Sequence, residues 1–258
     1  MPSSQPPSLG KATIDAVLAH AGRATLAFQW AHHTGPYATM FWFNELLAVG
    51  EGTDTIRQFL LTASEVTRFS LAEVTLRPEM FDPGPTAEKL AMTDFAQGWT
   101  HLDGLGVAVQ TTVGLHAYAA RKGIRWDTQE ITDGIAARAE DIAALTSDPV
   151  TAYALAHDVA PGTGKREQAI VVGALARASD GTIRWGGELP AGCVGAPVFY
   201  SVPMGDDSFR LVCAGLALPA DGQAFGHHPI ATFDTIRTAL ASLPTPTPRP
   251  RRWWQRRI

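Results

Sequence analysis

Short apolar runs, broken by turn residues and repeated along most of the chain, are the feature that most limits what it can become. "ATLAFQWA" (24–31), "TMFWFNELLAV" (39–49) and "RQFLLTASEV" (57–66) are aromatic or β-branched, and Gly, Pro, Asp or Asn separates them. Such side chains pack well on a pleated sheet and lose rotamer freedom in a helix, so the runs open an antiparallel sheet. "LAEVTLRP" (71–78) and "GLGVAVQ" (104–110) read as further strands. Between them "PEMFDPGPTAEKL" (78–90) has three prolines and reads as a long surface loop. In the second half "VTAYALAHD" (150–158), "EQAIVVGALARAS" (167–179), "GTIRWGG" (181–187) and "FRLVCAGLAL" (209–218) repeat the strand texture, with "ASDGT" as a hairpin turn.

Three stretches depart from this pattern. "KATIDAVLAHAG" (11–22) spaces Ile14, Val17 and Leu18 for a short helix stopped by Gly22. "ITDGIAARAEDIAALTSD" (131–148) puts Ile131, Ile135, Ile142 and Leu145 near one face with Asp133 as N-cap, predicting a helix of about three turns over Asp133 to Leu145. "HPIATFDTIRTALASL" (228–243) carries Ile236 and Leu240 at the spacing of a closing helix.

At 258 residues the chain can bury a sizeable core, and 45% apolar with 18% charged residues is the composition of a folded protein. No apolar run is long enough to span a membrane, and the N-terminal residues lack a secretory pattern. Cys193 and Cys213 are too few for a disulfide framework, so a reducing compartment is expected. The excess of arginine over lysine, with abundant Ala, Gly and Pro, fits a GC-rich bacterial genome; a bacterial cytoplasmic protein is the expectation. Five arginines, Arg249, Arg251, Arg252, Arg256 and Arg257, crowd into the last ten residues, so the net charge of −4 conceals a more acidic body. An acidic body argues against nucleic-acid binding at the core, because phosphate contacts need a basic surface.

Chemistry concentrates in "GCVGAPVF" (192–199), a glycine-rich turn leading into a strand, in "FLLTASEV" (59–66), and in "LVCAGLAL" (211–218) followed by the closing helix. In this order and spacing the three resemble the trypsin-like serine proteases, in particular the bacterial trypsin-like peptidase branch. The resemblance implies an all-β fold of two six-stranded antiparallel barrels, with a helical insertion and a C-terminal helix. Residues 1–22 would be a leader and short helix, about 23–112 the first barrel, about 114–147 the insertion, about 150–243 the second barrel, and 244–258 a proline-rich stem with a basic tip. In that family a His ends the Leu-Thr-Ala-Ala-His strand, a Ser sits in Gly-Asp-Ser-Gly-Gly-Pro, and an Asp before a buried strand orients the His. Here Glu65 stands at the His position, Val194 at the Ser, Cys193 at the preceding Asp, and Asp103 or Gly104 at the orienting Asp. Valine cannot form an acyl-enzyme, and Glu65 has no oxygen there to deprotonate. The resemblance therefore implies a catalytically inactive homologue acting as an intracellular protein- or peptide-binding module. Gly192, Cys193, Val194, Gly195 and Ala196 would form the binding loop, with the N–H groups of Gly192 and Val194 left as an oxyanion-hole-like nest.

The alternative is an active hydrolase in which Cys193 serves as a displaced nucleophile, with His101, His116, His227 or His228 approaching as base. "RPRRWWQRRI" (249–258) offers a second interaction element through Arg251, Arg252, Trp253, Trp254, Arg256 and Arg257, suited to an anionic membrane surface, an acidic partner or the acidic body itself. Other motifs fail on detail. "APGTGKRE" has Val159 and Arg166 where a phosphate loop needs Gly and Ser or Thr. His32-His33 and His227-His228 are adjacent, which is wrong for metal ligands on one face, and Glu130, Asp133, Glu140 and Asp141 read as a solvated helix face. No cofactor or metal is expected.

Overall fold

The computed structural model describes residues 8–33, 37–51, 54–85, 87–157, 166–205, 208–221 and 227–244. Helix α1 (Leu9–Ala21) opens this part of the chain, N-capped by the Ser8 side chain and closed at Gly22. The first half then builds ten strands: β1 (Thr25–Trp30), β2 (Ala38–Ala48), β3 (Thr55–Ala63), β4 (Leu71–Thr75), β5 (Phe81–Asp82), β6 (Lys89–Thr93), β7 (Thr100–Leu102), β8 (Val107–Thr111), β9 (Arg125–Trp126) and β10 (Ile131–Thr132). Helix α2 (Val113–Arg121) lies between β8 and β9. The main sheet runs β6-β4-β1-β2-β3-β8-β7, with β10 added parallel to β2, and β5 pairs with β9 apart from it.

Alternation along β2 and β3 explains why their sequences are apolar throughout. Met40, Trp42 and Leu60 enter one core with Leu26, Phe28 and Val74, whereas Phe41, Phe43, Phe59 and Leu61 enter the core shared with the second half. A strand buried on both faces has no polar side to show.

The second half follows α3 (Ala139–Ala143) with β11 (Val150–His157), β12 (Gln168–Arg177), β13 (Ile183–Gly186), β14 (Pro197–Gly205), β15 (Ser208–Ala217) and β16 (His227–Thr232), closed as a barrel in the order β11-β12-β13-β16-β15-β14. Helix α4 (Phe233–Ala241) ends the described body, and its Phe233 ring lies 4.9 Å from that of Phe43 across the junction of the halves.

The two-barrel expectation holds in its architecture, but several elements differ in detail. The first sheet has more than six strands, and its hydrogen-bonded path runs from β6 to β7 without closing. The helix expected over Asp133 to Leu145 is only the short α3, because the backbone of Ile135 and Ala137 is bonded to Cys213 of β15, at 2.7 and 2.8 Å. Asp133 caps no helix: it accepts from the Leu46 N–H at 2.8 Å and faces Arg237 Nη2 at 2.9 Å. Nor is the acidic series a solvated face, since Asp141 is buried against Arg210 and Glu130 accepts from Gln58 and Thr128. The loop expected over 78–90 contains β5 and leads into β6, which pairs with β4, and the first residues of the expected closing helix form β16. The leader through residue 7, most of "APGTGKRE" and the whole Arg-Trp segment lie outside the described residues.

Candidate functional site

Strand β3 delivers Leu61, Thr62 and Ala63, then the chain tightens into a 3-10 turn, Ser64–Thr67, that presents Glu65 to solvent. The turn is fixed at both ends. The Ser64 N–H donates to the Gly106 carbonyl at 2.8 Å, and the Thr67 hydroxyl donates to the Ser64 carbonyl at 2.9 Å and lies 3.0 Å from His101 Nε2. From the second half comes another 3-10 turn, Ala191–Cys193, followed by Val194 and Gly195 ahead of β14.

Two threonines join these pieces. Thr39 donates its N–H to the Val194 carbonyl at 3.0 Å and its hydroxyl to the Gly192 carbonyl at 2.7 Å, while Thr62 donates to the Thr39 carbonyl at 2.8 Å. Gly195 lies against this joint with φ of +82°, and a Cβ there would come within 2.2 Å of Thr62 Oγ1 and 2.3 Å of the Thr39 carbonyl oxygen. Only glycine satisfies both the left-handed backbone and the space.

Above the joint, between the halves, is a cavity of about 320 Å³. Glu65 and Val66 line it on one side, Ala191, Val194 and Pro219 on the other. Its remaining wall is mostly aromatic, with Gln29 and Ala38 among the rings. Trp30, 49% exposed at the end of β1, stacks on His33 at 3.8 Å and on Phe69 at 6.2 Å, and Phe69 in turn stacks on Phe95 at 5.2 Å. Tyr37 completes the rim, its hydroxyl held by Arg166 Nε at 2.5 Å and its ring under the same guanidinium at 4.6 Å.

No family model and no curated protein matches the sequence. Solved structures do match its shape. Deg5 aligns with a TM-score of 0.54 at 11% identity, over 91% of this chain and 95% of that one. The serine endoprotease from Yersinia pestis aligns at 0.50 and 9%, over 92% and 67%, and a catalytically inactive tobacco etch virus protease complexed with substrate at 0.50 and 9%, over 88% and 87%. The chain has the trypsin-like double-barrel fold.

Within that fold the cleft between barrels contains Glu65 and Val194, the two positions that the sequence set at the family's His and Ser. Asp103 and Gly104 lie in the exposed β7–β8 turn, whereas Gly106 directly precedes β8 and bonds to the first residue of the Glu65 turn. The contact with the Glu65 turn is thus made by a glycine backbone carbonyl, three residues past Asp103 and two past Gly104.

The binding loop is also turned inward. The Val194 N–H donates to the Ala191 carbonyl at 3.1 Å, that of Cys193 to Pro190 at 2.9 Å, and that of Gly195 to Ala217 at 2.8 Å. The expected nest therefore lacks one of its two donors, because a 3-10 turn has taken it. Gly192, Cys193, Gly195 and Ala196 are buried; only Val194, with Ala191 beside it, reaches the cleft. Cys193 is 0% exposed, and burial pushes its thiol up to about 12, leaving it protonated at neutral pH. Of the four histidines offered as its base, His101 is engaged with Thr67, His116 with Gln58, and His228 with the Leu218 carbonyl at 3.0 Å, while the side chain of His227 lies outside what is described. Sequence reasoning missed Trp30, His33, Tyr37 and Phe69. Three exposed or half-buried aromatics flanking strands were the available signal.

Proposed function

We propose that the chain is a catalytically inactive trypsin-like protein that binds a peptide or protein segment in the cleft between its barrels, acting inside a bacterial cell. The observation that carries this reading is Val194. At the nucleophile position it supplies no attacking atom, its N–H is spent within the loop, and its side chain forms part of an apolar wall. A cavity with stacked aromatic rings and one exposed carboxylate favours an aromatic or long aliphatic side chain next to a basic residue. The two cysteines, free and buried, accord with a reducing compartment. Among the described residues no helix is long and apolar enough to cross a membrane.

The test is a pair of measurements on the purified full chain: hydrolysis of casein and of small esters, and binding of a random peptide library with and without the substitution Phe69→Asp. The expected result is no turnover, and retained peptides that are rich in aromatic and basic residues and are lost with Phe69→Asp. Turnover that co-purifies with the protein would overturn the inactive assignment, and binding indifferent to Phe69→Asp would remove the cleft from the account.

A further inference from the structure

The cleft has a chemical match in the same chain. We propose that the Arg-Trp segment, residues 249–258, is the cleft's own ligand: Trp253 or Trp254 fills the cavity beside Val194, and a neighbouring arginine pairs with Glu65 at the rim. This rests on the cleft-binding reading above and names its occupant.

Three observations support it. The cavity wall gathers Trp30, Phe69 and Tyr37 beside Val66 and Val194, apolar and aromatic surface against which an indole can pack, and one Trp side chain can bury roughly 150–250 Å². Charge is complementary: Glu65 is exposed and makes no ion pair among the described residues, while the segment holds five arginines and no acid. Reach is adequate as well. The Leu240 carbonyl of α4 accepts from Arg57 Nη2 at 2.9 Å, at the start of β3. Glu65 lies eight residues further along, roughly 26 Å at the rise of a strand. Trp253 lies nine positions beyond Pro244, and a proline-rich stem of that length spans roughly 28 Å when extended. The stem is of the length the path requires. Tethering also raises the effective concentration of the segment to ~mM, so even a weak ligand would fill the cleft and hold off competitors.

Two experiments on the full chain test the proposal. With p-benzoylphenylalanine replacing Trp253, irradiation at ~1 µM, where a tethered contact outcompetes contacts between molecules, is expected to crosslink the segment to residues 28–38 or 65–69 of the same monomer. A fluorescent synthetic peptide of residues 246–258 is expected to bind the W253A/W254A variant and to bind the unsubstituted chain about tenfold more weakly or worse. Glu65→Lys or Phe69→Asp added to W253A/W254A should abolish that binding. Equal peptide binding by the two chains, covalent dimers only, or crosslinks that form only to lipid in phosphatidylcholine–phosphatidylserine vesicles would overturn the proposal. If W253A/W254A ignores this peptide yet binds library peptides through Phe69, the tail assignment fails and the cleft reading survives; if it binds neither, both fail.

Discussion

His157 makes the fold sensitive to mild acid, and the effect can be sized. It ends β11 at the junction of the barrels, 1% exposed. Its Nε2 lies 2.9 Å from the Thr25 hydroxyl, which receives a hydrogen bond from Gln168 at 2.6 Å and is thus free to donate to the ring; its Nδ1 lies 3.3 Å from the Arg166 carbonyl and donates there. That arrangement satisfies a neutral imidazole. Burial, aided by the nearby Arg77 guanidinium, moves its pKa down to about 4, against which the hydrogen bonds and Glu79 act only in part. A lowered histidine pKa means that the unfolded chain binds the extra proton first. Stability is therefore unaffected above the unfolded value near 6.5, falls by about 1.4 kcal/mol per pH unit below it, and levels off near pH 4 after a loss of about 3 kcal/mol. The substitution His157→Gln keeps an acceptor toward Thr25 and a donor toward Arg166 without a titrating group. In urea unfolding followed by tryptophan fluorescence, the difference between the parent and H157Q free energies should be constant above pH 7 and shift by about 1.4 kcal/mol per unit between pH 6.5 and 4. Carboxylates that titrate in the same range cancel in the difference. Parallel stability curves for the two proteins would refute the reasoning, since His157 would then titrate alike in both states.

The joint under the cleft gives two further expectations. Gly195→Ala should destabilise by about 3 kcal/mol or more, from a left-handed backbone and a Cβ overlapping Thr62 and Thr39, readable as a fall in Tm; an unchanged Tm would mean that the loop relaxes freely. Thr39→Val strips the buried Gly192 carbonyl of its partner and should cost about 1–3 kcal/mol in denaturant titration, with Thr39→Ser restoring most of it. Cys193 should resist iodoacetamide in the native protein at pH 8 and react fully in urea; rapid native labelling mapped to Cys193 by mass spectrometry would reopen it as a nucleophile.

Much of the fold was legible because the strands announce themselves through apolar runs and turn residues. Where the reading failed, a distant partner decided the outcome. The segment before α3 has helical spacing, yet Cys213, far along the chain, takes the backbone groups of Ile135 and Ala137. Strand β6, "KLAMT", is an edge strand of mixed polarity behind three prolines, so no local signal outweighs the loop texture. The site divides in the same way. Glu65 and Val194 sit in turns recognisable in the sequence and both line the cavity, but the Thr39 hydroxyl bonds a carbonyl 153 residues away, and nothing in "ATMF" hints at it. The aromatic wall likewise depends on Trp30, Tyr37 and Phe69 converging from separate segments.

On the proposed reading, that division explains how a nucleophile loop would persist without its nucleophile. Gly192 and Val194 offer their carbonyls to Thr39, Gly195 fills a space that admits no side chain, and its N–H ties the loop to β15 through Ala217. Each of these tasks is done by backbone; the first two join one barrel to the other and the third fixes the loop within its own barrel, so losing any of them would cost stability whatever the chain does. The Val194 side chain accepts and donates no hydrogen bond in the joint; it packs half-buried against the shared core and lines the cavity. Selection for a folded double barrel therefore holds Gly195 in place, and on the proposed reading position 194 is set by the occupant of the cleft, an apolar one being better served by valine than by a hydroxyl that it would leave without a hydrogen-bond partner.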